Sequence, residues 1–435
     1  MNKSKLLNLY LIALLLGGLI GMLGSCFKLL IDYLSDGLSH TASAVSIYGI
    51  PEFIISSAIT VVFVVIAWWM VVKIAPEASG SGVQEIEGIL LHKRYVNWRR
   101  LLPVKFIGGI FAISAKMVVG REGPMIQMGG NCGEMLGEWF NITRYRRDTL
   151  IAAGAAAGLA TAFNAPIAGI LFMIEEMRAQ FNFSFTNFKT VAITCVAATI
   201  AMRICLGAGP AIPMAVFSTP DLPSLSLFFV LGLIVGLTGL VFNRGLMACL
   251  ALKDKWSFKK QAYYVAGIAA LAGLLVVFRP YWVGGGYDII EQSLTLLPNA
   301  KTLLLVFTIR FCMTLLCYTT GVPGGIFAPM LALGTLIGLF CYDVFNFFIF
   351  DLTIHPGMFA VAGMGALFSA VVRAPMTGIV LVVEMTQNYN LILPVMVSCL
   401  TATTVMQFAR NEPIYTQLLQ RTLRAEEVVA SPAVT

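Results

Sequence analysis

The sequence predicts an all-α protein that crosses a membrane many times, made of two inverted-topology helical repeats with broken helices. Three observations carry that expectation. The 435-residue chain is 58% hydrophobic and only 12% charged, with a mean hydropathy of +0.84, whereas a soluble protein carries about a quarter charged residues. Blocks of sequence recur in the two halves in the same order. The stretch VVGREGPMIQMGG, Val118 to Gly130, sets Arg121 and Glu122 side by side between apolar runs, fenced by glycines and a proline. A charge in the bilayer core costs about 2.5–3.5 kcal/mol on insertion scales, so an ionisable residue there points to function.

The elements follow in order. The N-terminus, MNKSKLLNLYLIALLLGGLIG, is basic and then apolar, with no small-residue cleavage site, and reads as a retained first span rather than a signal peptide. The run Phe53 to Ala75 exceeds the roughly 20 residues that span about 30 Å of hydrocarbon. Other apolar runs are shorter and interrupted by Gly or Pro, which predicts helices that enter, break and turn back. Basic residues concentrate in short connectors, His92–Arg100, Thr143–Asp148 and Lys253–Lys260. By the positive-inside tendency these connectors and the chain termini face the cytoplasm. Their interleaved Tyr and Trp suit a membrane–water interface, so the +7 net charge does not mark a nucleic-acid partner.

Nine scattered cysteines form no CxxC pair and read as buried thiols acting as small hydrophobes. With three histidines in the chain, His40, His92 and His355, and no GxSxG or HExxH, neither a metal site, a cofactor nor an enzyme is expected.

The repeat is explicit. KFIGGIFAISAKMVVGREGPMIQMGG from Lys105 aligns without a gap on RFCMTLLCYTTGVPGGIFAPMLALGT from Arg310. Gly120, Pro124, Met125 and Gly129 fall on Gly325, Pro329, Met330 and Gly334. Further on, NAPIAGILFMIEE from Asn164 aligns on RAPMTGIVLVVEM from Arg373, bringing Pro166, Gly169, Ile170 and Glu175 onto Pro375, Gly378, Ile379 and Glu384. With a boundary near Pro220–Pro223, the expected units are residues 1–215, residues 216–410 and a short polar tail, 411–435. Inverted repeats of this kind place a binding site between them, near the midplane.

GREGP and GIFAP read as one device used twice: glycine for close approach or positive φ, and proline in the first turn of a helix. Two helix N-termini aimed at one point make a cavity for an anion without a full positive charge, and an anion bound that way can leave again. Ser81, between Gly80 and Gly82 in ASGSGVQEIEG, offers a hydroxyl to the same cavity, or is simply part of a turn. Glu122 beside such a site competes for the same N–H donors; protonated, it swings away and admits the anion. The alternative, a salt bridge to Arg121, is disfavoured because adjacent helical side chains diverge. Glu175 has its repeat mate in Glu384 and reads as structural, capping a helix or pairing with Arg178. Glu176 aligns with Met385 instead, and an acid the duplication does not explain suits proton transfer.

At these residues the chain resembles the CLC family of chloride channels and proton/chloride antiporters, closest to the bacterial antiporters. The marks are GSGVQ (Gly80–Gln84), GREGP (Gly120–Pro124), GIFAP (Gly325–Pro329) and NEPIYTQLL around Tyr415. The resemblance implies a homodimer in the bacterial inner membrane with one pathway per subunit. It implies a central chloride held by the Ser81 and Tyr415 hydroxyls and the Ile326 and Phe327 N–H groups. Glu122 is then the outer gate, and Glu176 the internal proton glutamate that channels of the family lack. Secondary active exchange of chloride for protons is therefore expected; a passive chloride channel and a fluoride exporter are the alternatives. The chain departs from the family's GSGIP at Val83 and Gln84, and the missing proline bears on anion affinity. The tail is too short for the cytoplasmic nucleotide-binding domains of eukaryotic members.

Overall fold

The computed structural model describes residues 3–46, 50–95, 97–177, 184–349 and 354–430. Among them lie seventeen α-helices, four short 3-10 helices and no strand, only two isolated β-bridges. Eight helices are long and apolar enough to cross a membrane, including Glu52–Lys73, where the Phe53–Ala75 run was expected to span. The chain is a multi-pass helical membrane protein.

Short broken helices lie between the long ones, and local sequence accounts for where they break. The Arg144–Phe163 helix ends on Asn164 in the left-handed region, at φ 54°; the Pro356–Val372 helix ends on Arg373, its repeat mate, at φ 63°. A left-handed residue closes a helix by turning its last N–H back onto the final turn. One alanine later, Pro166 and Pro375 open the Pro166–Glu176 and Pro375–Thr386 helices, each proline at a first-turn position where it loses no hydrogen bond. The same break is thus written twice.

Packing repeats as well. Gly129 of the Glu122–Trp139 helix lies so close to Gly154 that an added Cβ would stand 2.1 Å from the Gly154 carbonyl oxygen. Their mates Gly334 and Gly363 leave 2.4 Å at the same crossing of Phe327–Phe348 with Pro356–Val372. Membrane helices have no hydrophobic drive to associate in lipid, so small residues that let backbones touch hold such pairs.

Glu175 and Glu384 tie the two broken helices together reciprocally. Glu175 accepts from the Met376 and Thr377 N–H groups (3.0 and 2.7 Å) and from the Thr377 hydroxyl. Glu384 accepts from the Ile167 and Ala168 N–H groups (3.2 and 2.8 Å). Each carboxylate caps the N-terminus of the other repeat's helix, so the capping alternative for Glu175 holds; Arg178, its other expected partner, lies outside the described residues.

The basic connectors gather at one end of the molecule with the C-terminal helix, Ile414–Ala430. Arg94 pairs with Glu85 (2.8 Å) and with Glu426, Arg421 pairs with Asp254, and Arg144 reaches His92 at 3.3 Å. The expectation of buried cysteines needs correction. Cys132, Cys195, Cys317, Cys341 and Cys399 are buried, but Cys26, Cys205 and Cys312 are exposed on the outer surface. A helix that is apolar all round does not reveal which side faces its neighbours.

Candidate functional site

The two GxxxP loops meet back to back. Gly120 and Gly325 exchange N–H···O bonds, both 2.7 Å, in an antiparallel bridge. Immediately after it, helices begin at corresponding residues, Glu122 and Phe327, with Arg121 and Ile326 as N-caps that make no side-chain cap. The loop carrying Ser81 joins them through Gly80 N–H to Val322 O (3.2 Å) and Gly324 N–H to Gly80 O (3.0 Å). There Gly82, at φ 83°, turns the chain into a third helix, Val83–Leu90. Only glycine takes that backbone angle freely.

Gly120 and Gly325 themselves do not adopt positive φ, so room is what they provide. A Cβ on Gly120 would lie 2.1 Å from Glu122 Oε2.

Around this convergence the polar groups point inward. Ser81 and Tyr415 are fully buried, and neither hydroxyl meets a hydrogen-bond partner among the described residues. Buried hydroxyls normally find partners, and these two lie beside each other, free to donate to a group that accepts hydrogen bonds. Ser81 Oγ lies against Gly123, where a Cβ would intrude to 2.4 Å. Ile326 and Phe327 stand at the start of their helix, where N–H groups have no intrahelical acceptor. The Phe327 ring is wedged among Phe163, Phe172, Phe368 and Tyr415, at centroid distances of 5.0–6.1 Å.

Glu122 is fully buried. Its Oε2 accepts from Ala328 N–H of the opposite repeat at 3.4 Å, and its Oε1 accepts from the Tyr287 hydroxyl at 2.9 Å. No ion pair joins it to Arg121 among the described residues; the Arg121 guanidinium instead lies 5.1 Å over the Tyr287 ring. The carboxylate therefore already sits on an N–H group in the first turn of the opposite repeat's helix.

Glu176 ends the Pro166–Glu176 helix, within electrostatic range of Glu87, Glu175 and Tyr415. Glu87 in turn accepts from the Thr416 hydroxyl at 3.3 Å, next to Tyr415. Gln84 is buried with its amide oxygen unpartnered, and it lines a cavity of about 910 Å³ at the connector end, shared with Gly80, Tyr318 and Lys253.

Sequence reasoning missed three contributors. Lys105, fully buried, donates to the Ala78 and Gly80 carbonyls (3.0 and 2.7 Å) and so anchors the Ser81 loop. Its repeat mate Arg310 donates to the Tyr281, Val283 and Gly284 carbonyls (2.9–3.0 Å) and anchors the loop leading to Tyr287. A basic residue at the same place in two apolar blocks was the available signal. Tyr287 left no signal, because its loop has no counterpart in the aligned blocks.

Helix N-termini facing one another across inverted repeats, with orphan hydroxyls and a carboxylate on the same donors, define an anion-conducting membrane protein. The family model for voltage gated chloride channels matches residues 63–407, and the chain belongs to that family. It is similar to the H(+)/Cl(-) exchange transporter ClcA of Vibrio cholerae serotype O1 (strain M66-2), with 42% identity over 98% of this chain and 92% of that protein. ClcA of Yersinia pestis bv. Antiqua (strain Angola) is 41% identical over 98% and 90%. Among solved structures, a slow cyanobacterial Cl-/H+ antiporter superposes with a TM-score of 0.92 at 38% identity, covering 96% of this chain and 98% of that one. A CLC-type fluoride/proton antiporter shares the fold alone, at a TM-score of 0.77 and 22% identity.

Proposed function

We propose that this chain is a secondary active transporter that exchanges chloride for protons, with Glu122 as its gate. The observation that carries the reading is the Glu122 carboxylate on the Ala328 N–H, facing the opposite repeat's helix N-terminus. Ionised, it fills the position of an anion; protonated, it loses its hold on those donors and leaves the place to chloride. Chloride is then held by the N–H groups of Ile326 and Phe327 and by the Ser81 and Tyr415 hydroxyls. The weakness of binding by partial charges lets it move on. Protons reach Glu122 from the connector side by way of Glu176.

On this reading residues 1–215 and 216–410 are the two repeats, and Tyr415 comes from the tail, 411–435. Chloride and protons are the substrates, with no cofactor. The protein works as a homodimer in the lipid of a bacterial inner membrane, with both termini in the cytoplasm. Support comes from the named exchangers that are 41–42% identical over nearly the whole chain and from the two acids, Glu122 and Glu176, which a passive channel does not need. The test is reconstitution in liposomes with chloride and proton fluxes recorded together. An imposed chloride gradient should drive protons uphill in the opposite direction; chloride flux without proton movement would refute exchange.

A further inference from the structure

We propose that Tyr287 is the latch of the outer gate, a positioning residue whose hydroxyl holds the Glu122 carboxylate closed and so sets how often the gate opens. The inference deepens the proposed function and rests on Glu122 being the gate.

The geometry is specific. Tyr287 is the first residue of the Tyr287–Leu296 helix, behind Gly284 and Gly286, both at positive φ (76° and 120°). That loop is not free to drift. Arg310 binds the Tyr281, Val283 and Gly284 carbonyls, and Gly284 N–H donates to Lys116 O at 2.8 Å. The ring is held by the Arg121 guanidinium, and the hydroxyl reaches Glu122 Oε1 at 2.9 Å. Hydrogen bonds to an ionised acceptor are roughly twice as strong as neutral ones, and this one is presented by an anchored ring.

Tyr287 also stands between Glu122 and a neighbouring cavity. A cavity of about 250 Å³ is lined by Lys28, Asp32, Lys116, Asp288, Arg121 and Tyr287, and Glu122 is not among its lining residues. Glu122, behind them, has no exposure. For the carboxylate to move outward, its bond to Tyr287 must break and the ring must give way. The titratable and charged groups facing Glu122 are Arg121 on its own turn, Tyr287 from the opposite loop and Tyr415 from the C-terminal helix. Of these, Tyr287 is the side chain bonded to the carboxylate.

Tyr287→Phe removes the hydroxyl and keeps the ring under Arg121. The full-length protein in liposomes should turn over chloride roughly tenfold faster at neutral pH and keep its proton coupling. A donor to the carboxylate favours the ionised, closed form. Without it protonation occurs at higher pH, so the pH of half-maximal flux should move upward. A purely structural role would not move that midpoint. In the Glu122→Gln background there is no carboxylate to hold, and Tyr287→Phe should add nothing. Turnover and midpoint unchanged in Tyr287→Phe, or an equal acceleration in the Glu122→Gln background, would overturn the latch. Chloride flux that is uncoupled in the unmodified chain yet rises in Tyr287→Phe would refute exchange and support the latch.

Discussion

Glu122 and Phe327 occupy the same position in two copies of one device, and they do opposite things. Both begin a helix two residues after a glycine that pairs with the other copy's glycine, and both have proline two residues on. On the first copy the side chain is an acid reaching across to the second copy's N–H. On the second it is a phenyl ring locked among four other aromatic rings. On the proposed function, the duplicated backbone creates the anion site, and the difference at one side chain supplies the gate. Glu175 and Glu176 repeat the lesson one residue apart. The acid with a repeat mate caps a helix, and the acid without one is the proposed proton carrier.

The largest effect should come from erasing the asymmetry at the gate. Glu122→Gln mimics the protonated acid, so chloride should pass while proton pumping disappears. Uphill proton movement by this variant under a chloride gradient would remove Glu122 from the gate.

Next, Glu176→Gln should abolish proton flux and leave chloride flux. Glu175→Gln should lower expression and thermal stability by weakening the cap on Pro375–Thr386, at a cost of about 1–2 kcal/mol, with coupling kept. Proton uptake by each purified variant in vesicles distinguishes them; loss of pumping in Glu175→Gln alone would mean the roles are reversed.

Gly123 and Ala328 correspond in the two copies and test how far the site tolerates symmetry. Gly123→Ala places a methyl against Ser81 Oγ, and overpacking of about 1–3 kcal/mol should weaken chloride binding roughly tenfold by calorimetry. Ala328→Gly should change it far less.

Losses of the same size and then smaller follow at the hydroxyls. Tyr415→Ala removes a donor and a ring stacked on Phe327, and should weaken chloride binding by about tenfold and loosen coupling. Ser81→Ala, with backbone donors remaining, should cost roughly threefold. Calorimetry showing no change in Tyr415→Ala would take that residue out of the site.

The smallest effect should be at the third N-terminus, which lacks a proline. Gln84 is second in its helix, where an N–H has no intrahelical acceptor, and its amide oxygen is unpartnered. Gln84→Pro should raise stability by about 0.4–1 kcal/mol through the unfolded state, read as a rise in melting temperature.

Much of this was readable along the chain, because it depends on local chemistry or on self-comparison. Composition announced the membrane, Gly and Pro marked helix starts at Glu122, Phe327 and Pro166, and the duplication paired Glu175 with Glu384 and set Glu176 apart. Which faces of the apolar helices are inside was not readable, since lipid and protein interior are equally apolar; Cys26 and Cys312 lie outward for that reason. Nor was any contact between distant segments. The reciprocal caps and the bond from Tyr287 to Glu122, 165 residues apart, exist only once the two halves close on each other, and the Lys105 and Arg310 anchors only once each half folds on itself. A hydrogen bond needs distance and direction, and those come from the fold.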